Sequence, residues 1–371
     1  MKTLVICIDA FRKDYINSEY TPFLNNFNEK RTLIPSFEYG VSSNFLTGKL
    51  PVDNDLWVNF RKSDDSIYRK LCFMKNKKLI ELSANMLRFL RKEYFLSGVY
   101  EIPFTMLKFF DVQLKRNPYQ VNSLKNKTFF DILNNKKKKY LVIDYPYIVT
   151  NKSLRICPFL KKDEKISKKM IKSFSDEINF YYCHLQSIDY LGHKYGPLSK
   201  ITLKRVQEID AIIKELVSSF LKKFPDGNIF LFSDHGMVEV KGYVNLEKTK
   251  KYCEYYFFDS TIARFWPKNK KEREKLIMHL KKIKCGRILN ENDEKKLGIN
   301  FSHNEFGELF FVLNPGFVIH PDFFHKNKVK GMHTYYKNCK ENNGFLITNK
   351  EKKLKRNVNM INLHELIIRR C

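Results

Sequence analysis

The stretch Asn228-Ile229-Phe230-Leu231-Phe232-Ser233-Asp234-His235-Gly236 decides how this chain is read. An apolar run of this length and composition predicts a strand buried on both faces. Its end sets a carboxylate beside an imidazole, a place where a divalent cation can be held. Taken alone such a pair is more often structural, so the rest of the chain has to decide.

Three similar runs stand at Thr3–Ile8, Tyr140–Ile143 and Asn179–His184. Between the last of these and Asn228, a helical pattern covers Ile201–Phe224, with Val206, Ile209, Ile212, Ile213, Leu216, Val217 and Phe220 on one side. Alternating strands and helices predict a doubly wound α/β fold, a mostly parallel sheet with helices on both faces. Ligands of such sheets gather at the carboxyl ends of the strands. Asp9, Asp189 and Asp234 all fall at or just after such ends.

Two stretches break the alternation. Residues 61–125 are basic, aromatic and helix-rich, notably Leu79–Tyr94, and are expected to form a helical insertion. Residues 251–327 carry strand signals at Tyr255–Phe258 and Leu309–Leu313 and a helix signal at Glu272–Ile283, and are expected to form a small α+β cap. The core is then 1–60, 126–250 and 328–371, closing with an apolar helix at Met360–Ile368.

With 43% hydrophobic and 15% aromatic residues among 371, the chain has ample material for a packed interior. The net charge of +28 reads first as a lysine-rich composition, and next as attraction to an anionic substrate or peripheral contact with an anionic membrane. No zinc finger, RNP-like string or glycine-rich phosphate loop accompanies the charge, so no specific nucleic-acid partner is expected. Eight cysteines without a CxxC pair point to a reducing compartment. The first residues read as a strand rather than a leader, and no run approaches the ~18–20 apolar residues of a membrane span. The expected location is cytoplasmic.

Four segments offer cation ligands: Asp9, Asp189 with His193, Asp234-His235, and His333. An Asp and a His four apart can converge from one helical turn. Three carboxylates and three imidazoles suffice for two neighbouring nitrogen and oxygen sites, of the kind zinc favours, with manganese the other choice.

The order Asp9 … Thr47-Gly48 … Pro51 … Asp189-x-x-x-His193 … Ser233-Asp234-His235-Gly236-Met237 … His333 resembles the alkaline phosphatase superfamily, in its nucleotide pyrophosphatase/type I phosphodiesterase branch. Thr21-Pro22-x-Leu24 and Phe129-Phe130-Asp131-Ile132-Leu133 add to the likeness, which spans roughly 1–60, 128–240 and 328–336. The resemblance implies an alkaline phosphatase-like core and two divalent metals, one on Asp189, His193 and His333, the other on Asp9, Asp234 and His235. Such a pair clamps an in-line displacement at phosphorus. Asn59 falls where the family keeps an Asn that donates to a phosphoryl oxygen.

The nucleophile departs from the pattern. The family seats a Thr or Ser at a helix start ahead of the Thr-Gly pair, where helix N–H groups help to hold phosphate. Here that seat, counted without a gap, is Glu38 in Pro35-Ser36-Phe37-Glu38-Tyr39-Gly40-Val41-Ser42-Ser43. A locally shortened entry would make Ser42 the attacking hydroxyl, ahead of Ser43 and Ser36; alternatively Glu38 ligates the second metal. Asn54 stands where many relatives have His, and Thr334 where they have Gly.

The function expected on this basis is a two-metal phosphohydrolase cleaving a phosphodiester or phosphoanhydride of a nucleotide, nucleotide-sugar or glycan- or lipid-linked phosphate, through an activated hydroxyl and a phospho-enzyme. Transfer of a phosphoryl-linked group to a glycan or lipid acceptor is the near alternative, and metal-retaining anion binding without catalysis the distant one. Arg264 is assigned to substrate binding, and Tyr39, Phe60 and Tyr195 are aromatic candidates for stacking a base or sugar. Oligomeric state is left open.

Overall fold

In the computed structural model the described residues are all of 1–371 except 41, 72, 92, 94–97, 161, 338 and 351–354. Among the described residues nine strands form the central sheet, in the order Asn357–Asn359, Lys30–Ile34, Gly344–Thr348, Asn228–Phe232, Thr3–Ile8, Phe180–Leu185, Tyr140–Asp144, Tyr147–Thr150, Leu154–Ile156. The four in the middle, from Asn228–Phe232 to Tyr140–Asp144, run parallel. Thr3 faces both Phe180 and Asn228, and Cys7 faces His184 and Phe232, so the chain leaves these strands along one common edge.

The first strand shows why the sheet is covered twice. Leu4, Ile6 and Ile8 pack with Met170, Val206, Ile209 and Ile213, from the helices Asp163–Lys172 and Lys200–Lys223. Val5 and Cys7 point the other way, onto Phe45, Phe129, Leu363 and Ile367, from helices Ser43–Thr47, Phe129–Asn135 and Met360–Arg369. A period of two on a strand buried on both faces gives this division. The long helix also reaches sideways: Asp210 accepts from Phe23 N (2.9 Å) and Leu24 N (3.0 Å). Those bonds satisfy the start of the short helix Pro22–Asn25 and account for the Thr-Pro-x-Leu string.

The outer strands carried little sequence signal. Gly344–Thr348 pairs antiparallel with both Asn228–Phe232 and Lys30–Ile34, whose Lys30-Arg31-Thr32 start hides its strand character. The helices expected at Leu79–Tyr94 and Glu272–Ile283 form at Lys77–Leu90 and Lys270–Lys281; Tyr94, like Cys72, lies outside the described residues.

The 251–327 region holds a four-stranded antiparallel sheet, Cys253–Asp259, Ile262–Pro267, Leu309–Leu313 and Gly286–Ile288 in spatial order. Its Phe257, Phe258, Trp266 and Phe323 share one apolar cluster with Phe60 and with Ile67, Tyr68, Ile80 and Phe110 of the 61–125 stretch. Each such aromatic contributes roughly 2–3 kcal/mol on burial, which holds these two stretches together as one body. Among the described residues no helix is long and apolar enough to cross a membrane.

Candidate metal centre and active site

Backbone contacts bring the four ligand segments together. After the first strand, Asp9 is followed by Ala10 in the left-handed region (φ 56°), which turns the chain sharply. Phe11 N donates to Ser233 Oγ (2.8 Å), and that hydroxyl donates to His235 O (2.6 Å). Arg12, paired with Asp14, donates to Met237 O (3.2 Å). Gly236 N donates to Asn342 O (2.8 Å), and a Cβ at Gly236 would lie 2.2 Å from Glu341 O. Ser233, Gly236 and Met237 thus each have a packing or hydrogen-bonding reason, and Asp234 and His235 are left as the two candidate ligands of the string.

Asp189 and His193 sit one turn apart on helix Ser187–Tyr195. A Cβ at Gly331 would stand 2.6 Å from Gly192 O, and one at Gly192 would stand 3.0 Å from Met237 Cε. These bare backbones let the helix approach the short Gly331–Met332 strand, from which His333 projects.

The ligand atoms converge. Asp9, Asp234 and His235 offer atoms within 4.8 Å of one another, and so do Asp189, His235 and His333. His193 Nε2 is 3.2 Å from Asp189 Oδ1, His333 Nε2 3.6 Å from the same oxygen, and His235 Nε2 3.4 Å from Asp9 Oδ1. The grouping of Asp9, Asp234 and His235 matches the expected one. In the other, His235 bridges toward Asp189 and His333, its ring stacked 3.7 Å from that of His333, while His193 flanks Asp189.

All three histidines are held the same way. Nδ1 of His193 meets Gly331 O (2.9 Å), that of His235 meets Gly236 O (2.9 Å), and that of His333 meets Thr334 Oγ1 (2.7 Å). Fixing Nδ1 leaves Nε2 turned toward the carboxylates, as in metal-ligating histidines. Thr334 has φ 58°, a conformation that favours glycine, and its hydroxyl supplies the third of these contacts.

Asp9 Oδ1 and Asp189 Oδ1 are buried and accept no hydrogen bond despite the nearby rings. Burial, and then the charges of Asp234 and Asp189, push Asp9 up to about 7. Asp189 is raised by burial, but His193, His333 and His235 outweigh that and hold it below the usual carboxylate range. Burial drives His333 well down, and the neighbouring His235 adds to it. Buried carboxylates without donors, beside imidazoles presenting Nε2, form a donor set that divalent cations fit.

Sequence reasoning missed His184. Its Nε2 is 3.3 Å from Asp9 Oδ2 and its Nδ1 3.4 Å from Asp144 Oδ1. Asp144 in turn accepts from Gln186 Nε2 (2.8 Å) and Tyr119 OH (2.7 Å). The signal available was strand alternation: His184 shares a face with Tyr182 and lies opposite Cys7, two residues before Asp9. Cys7 also approaches His184 and Asp234, but burial lifts its thiol to about 12, far from a thiolate ligand.

On the nucleophile side, Glu38 accepts from Ser43 N (3.2 Å), Asn44 N (3.4 Å) and the Ser43 hydroxyl. Both its oxygens thus cap helix Ser43–Thr47, and Ser43 is spent on the same contact. Ser42 stands at the Ncap position with no capping bond from its side chain; its Oγ lies 3.2 Å from Ser36 Oγ. Ser42 and Gly40 line a 190 Å³ cavity together with Asp234, His184, Tyr119, Tyr145 and Tyr182. Val41, between them, lies outside the described residues. The Asn59 side chain packs on Gly40, where a Cβ would be 2.1 Å from its Oδ1, and so borders the same loop. Asn54 is buried and donates to Ser43 Oγ and Thr47 Oγ1 (both 2.9 Å), fixing the helix rather than facing substrate.

Arg264 is not at the site. It is fully buried in the cap, with Nε 2.6 Å and Nη2 3.2 Å from the Asp259 carboxylate, and lies 4.5 Å over the Phe257 ring. Phe60 is enclosed in the cluster shared with the cap, and Tyr39 is buried against Thr261, which also donates to Thr334 O (2.7 Å). Of the three expected stacking residues only Tyr195 is partly exposed.

The type I phosphodiesterase/nucleotide pyrophosphatase family model matches residues 3–336, and the chain belongs to that family, within the alkaline phosphatase superfamily. It is 23% identical over 279 residues to bis(5'-adenosyl)-triphosphatase ENPP4 of Pongo abelii, covering 72% of this chain and 55% of that protein. The chain thus spans about half the length of this curated relative. Its fold matches human ectonucleotide pyrophosphatase/phosphodiesterase 5 with a TM-score of 0.69 at 17% identity, over 100% of this chain and 94% of the other. The murine counterpart, solved as an inactive variant in complex with AMP, matches with a TM-score of 0.67 at 16% identity, with the same coverage.

Proposed function

We propose that this chain is a two-metal phosphohydrolase that cleaves a nucleotide phosphodiester or phosphoanhydride. The observation that carries the reading is the convergence of the His235 and His333 rings on Asp9, Asp189 and Asp234, with His193 Nε2 3.2 Å from Asp189, where two of the carboxylates have buried oxygens without donors. Asp9, Asp234 and His235 would hold one cation, and Asp189, His193 and His333 the other, with zinc the metal these donors favour. Bound there, two divalent cations supply charge neutralisation at the phosphoryl oxygens and lower the pKa of a nearby hydroxyl. Ser42 Oγ attacks phosphorus, a bond to phosphorus forms as the phosphorus–oxygen bond to the leaving group breaks, and water later releases the phosphoryl group from Ser42. Asn59, packed on Gly40, donates its amide to a phosphoryl oxygen. The nucleotide class is supported by the relative named as a bis(5'-adenosyl)-triphosphatase and by the fold neighbour holding AMP.

The test is turnover of an aryl phosphodiester and of a dinucleoside polyphosphate, with metal content measured on the same protein. Ser42→Ala should keep its metal and lose turnover by about 10³-fold or more. Product analysis for free nucleoside monophosphate against an acceptor-linked group separates hydrolysis from transfer. Full turnover by Ser42→Ala would overturn the assignment of the nucleophile, and full turnover by metal-free protein would overturn the function.

A further inference from the structure

Helix Lys77–Leu90 is apolar on two opposite sides. One side is accounted for: Ile80 and Ala84 are buried in the cluster shared with the cap, and Arg88 pairs with Asp111 at 2.8 Å. The other side carries Leu79, Leu82, Met86, Phe89 and Leu90, between 53% and 68% exposed, with Phe73 at 73% just ahead. Their spacing of three, four, three and one places them on one face of the helix. A solvated face would carry charged residues there, and a contiguous apolar stripe of this size marks an interaction surface.

The stripe does not end with the helix. Phe89 and Leu90 line a 700 Å³ groove whose far wall includes Leu154 and Ile156, from the exposed edge strand of the central sheet, with Arg116 beside them. Around the helix, residues 69–93 contain eight Lys and Arg against two Glu. Lys75, Lys77 and Lys78 stand at its start and Arg91 at its end.

We propose that this face docks on an anionic lipid bilayer, with Leu82, Met86 and Phe89 entering the boundary between headgroups and acyl chains. An amphipathic helix flanked by basic residues binds such surfaces through buried apolar area plus attraction to anionic lipid. The charge argues against a second copy as occupant, since a symmetric contact would bring two basic borders of a +28 chain face to face. The docked helix is anchored to the protein through Ile80 and Ala84, in the apolar cluster that also holds the cap sheet.

The experiment is co-sedimentation of the full chain with phosphatidylcholine vesicles, with and without 30% phosphatidylglycerol, at rising salt, alongside light scattering in solution. The expected result is binding to the anionic vesicles only, weakened by salt, and at least tenfold weaker for Leu82→Ser/Phe89→Ser with unchanged circular dichroism. Lys77→Gln/Lys78→Gln tests the charge contribution separately and should weaken binding severalfold. No binding to anionic vesicles, or undiminished binding by the serine variant, overturns the proposal. A dimer that the serine variant dissolves also overturns it, by assigning the face to a second copy.

Discussion

The two halves of the site share one edge of one sheet, yet they satisfy their polar groups in opposite ways. On the ligand half, contacts outside the cluster hold each side chain: carbonyls and a hydroxyl fix the three Nδ1 atoms, and the backbones at Gly192, Gly236 and Gly331 fix the segments. What faces inward is left without hydrogen bonds at Asp9 Oδ1 and Asp189 Oδ1. On the nucleophile half, Glu38, Ser43, Asn54 and Thr47 bond to one another and close a small network on themselves. Buried polar atoms without partners are costly, so a fold that aims several of them at one point is built for a ligand. A network already satisfied has little left to offer one. Ser42, the proposed attacking hydroxyl, touches that network only through Ser36, whose Oγ lies 3.2 Å away.

The sharpest way to break the comparison is to remove one inward carboxylate. Asp234→Asn should cost about one equivalent of bound metal and at least ~10³-fold in turnover, read by elemental analysis and a phosphodiester assay on one sample. Retained metal with lost turnover would move Asp234 out of the ligand half.

His184 tests how far the ligand half extends. It lies behind Asp9, braced by Asp144, which is itself held by Gln186 and Tyr119. Groups that orient a ligand in this way typically change metal affinity 10–100-fold when removed. His184→Gln should therefore weaken metal binding by about that factor in a calorimetric titration while leaving two sites in number. A drop to one site would make His184 a ligand in its own right.

The two halves were also unequally legible in the sequence. Every candidate ligand segment could be found because short strings carry both the ligand and the residues that pack it: a Cβ on the glycine of Asp234-His235-Gly236 would lie 2.2 Å from Glu341 O. The four parallel strands were visible for a similar reason, since burial on both faces leaves an unbroken apolar run. His184 was hidden because its partners Asp9 and Asp144 come from neighbouring strands, and strand register is not written locally. Arg264 misled for the opposite reason. An Arg amid aromatic residues reads as a ligand-binding group until Asp259, five residues away across the hairpin, closes on it. Glu38 was found in the nucleophile's seat, but only the fold shows both its oxygens turned onto the helix that follows.

Glu38 gives the smallest effect and the cleanest contrast between the halves. Burial pushes its carboxyl from the ordinary 4.5 up to about 7, against the lowering effect of its hydrogen bonds to Ser43, Ser36 and Asn44. An acid whose folded value is raised binds more protons folded than unfolded across that interval. Its contribution to stability is therefore complete below about 4.5 and is lost as pH rises through about 7. Glu38→Gln keeps an oxygen to accept from Ser43 and Asn44 but cannot ionise. Near pH 4.5 the variant and the parent should differ little in urea midpoint, whereas at pH 8 the variant should be the more stable, by at most about 3 kcal/mol. Its metal content should not change, because none of its hydrogen-bond partners, Ser36, Ser43 and Asn44, is one of the six proposed ligands. A loss of metal in Glu38→Gln would show instead that the two halves are one site, with the carboxylate turning from the helix to a cation when one is bound.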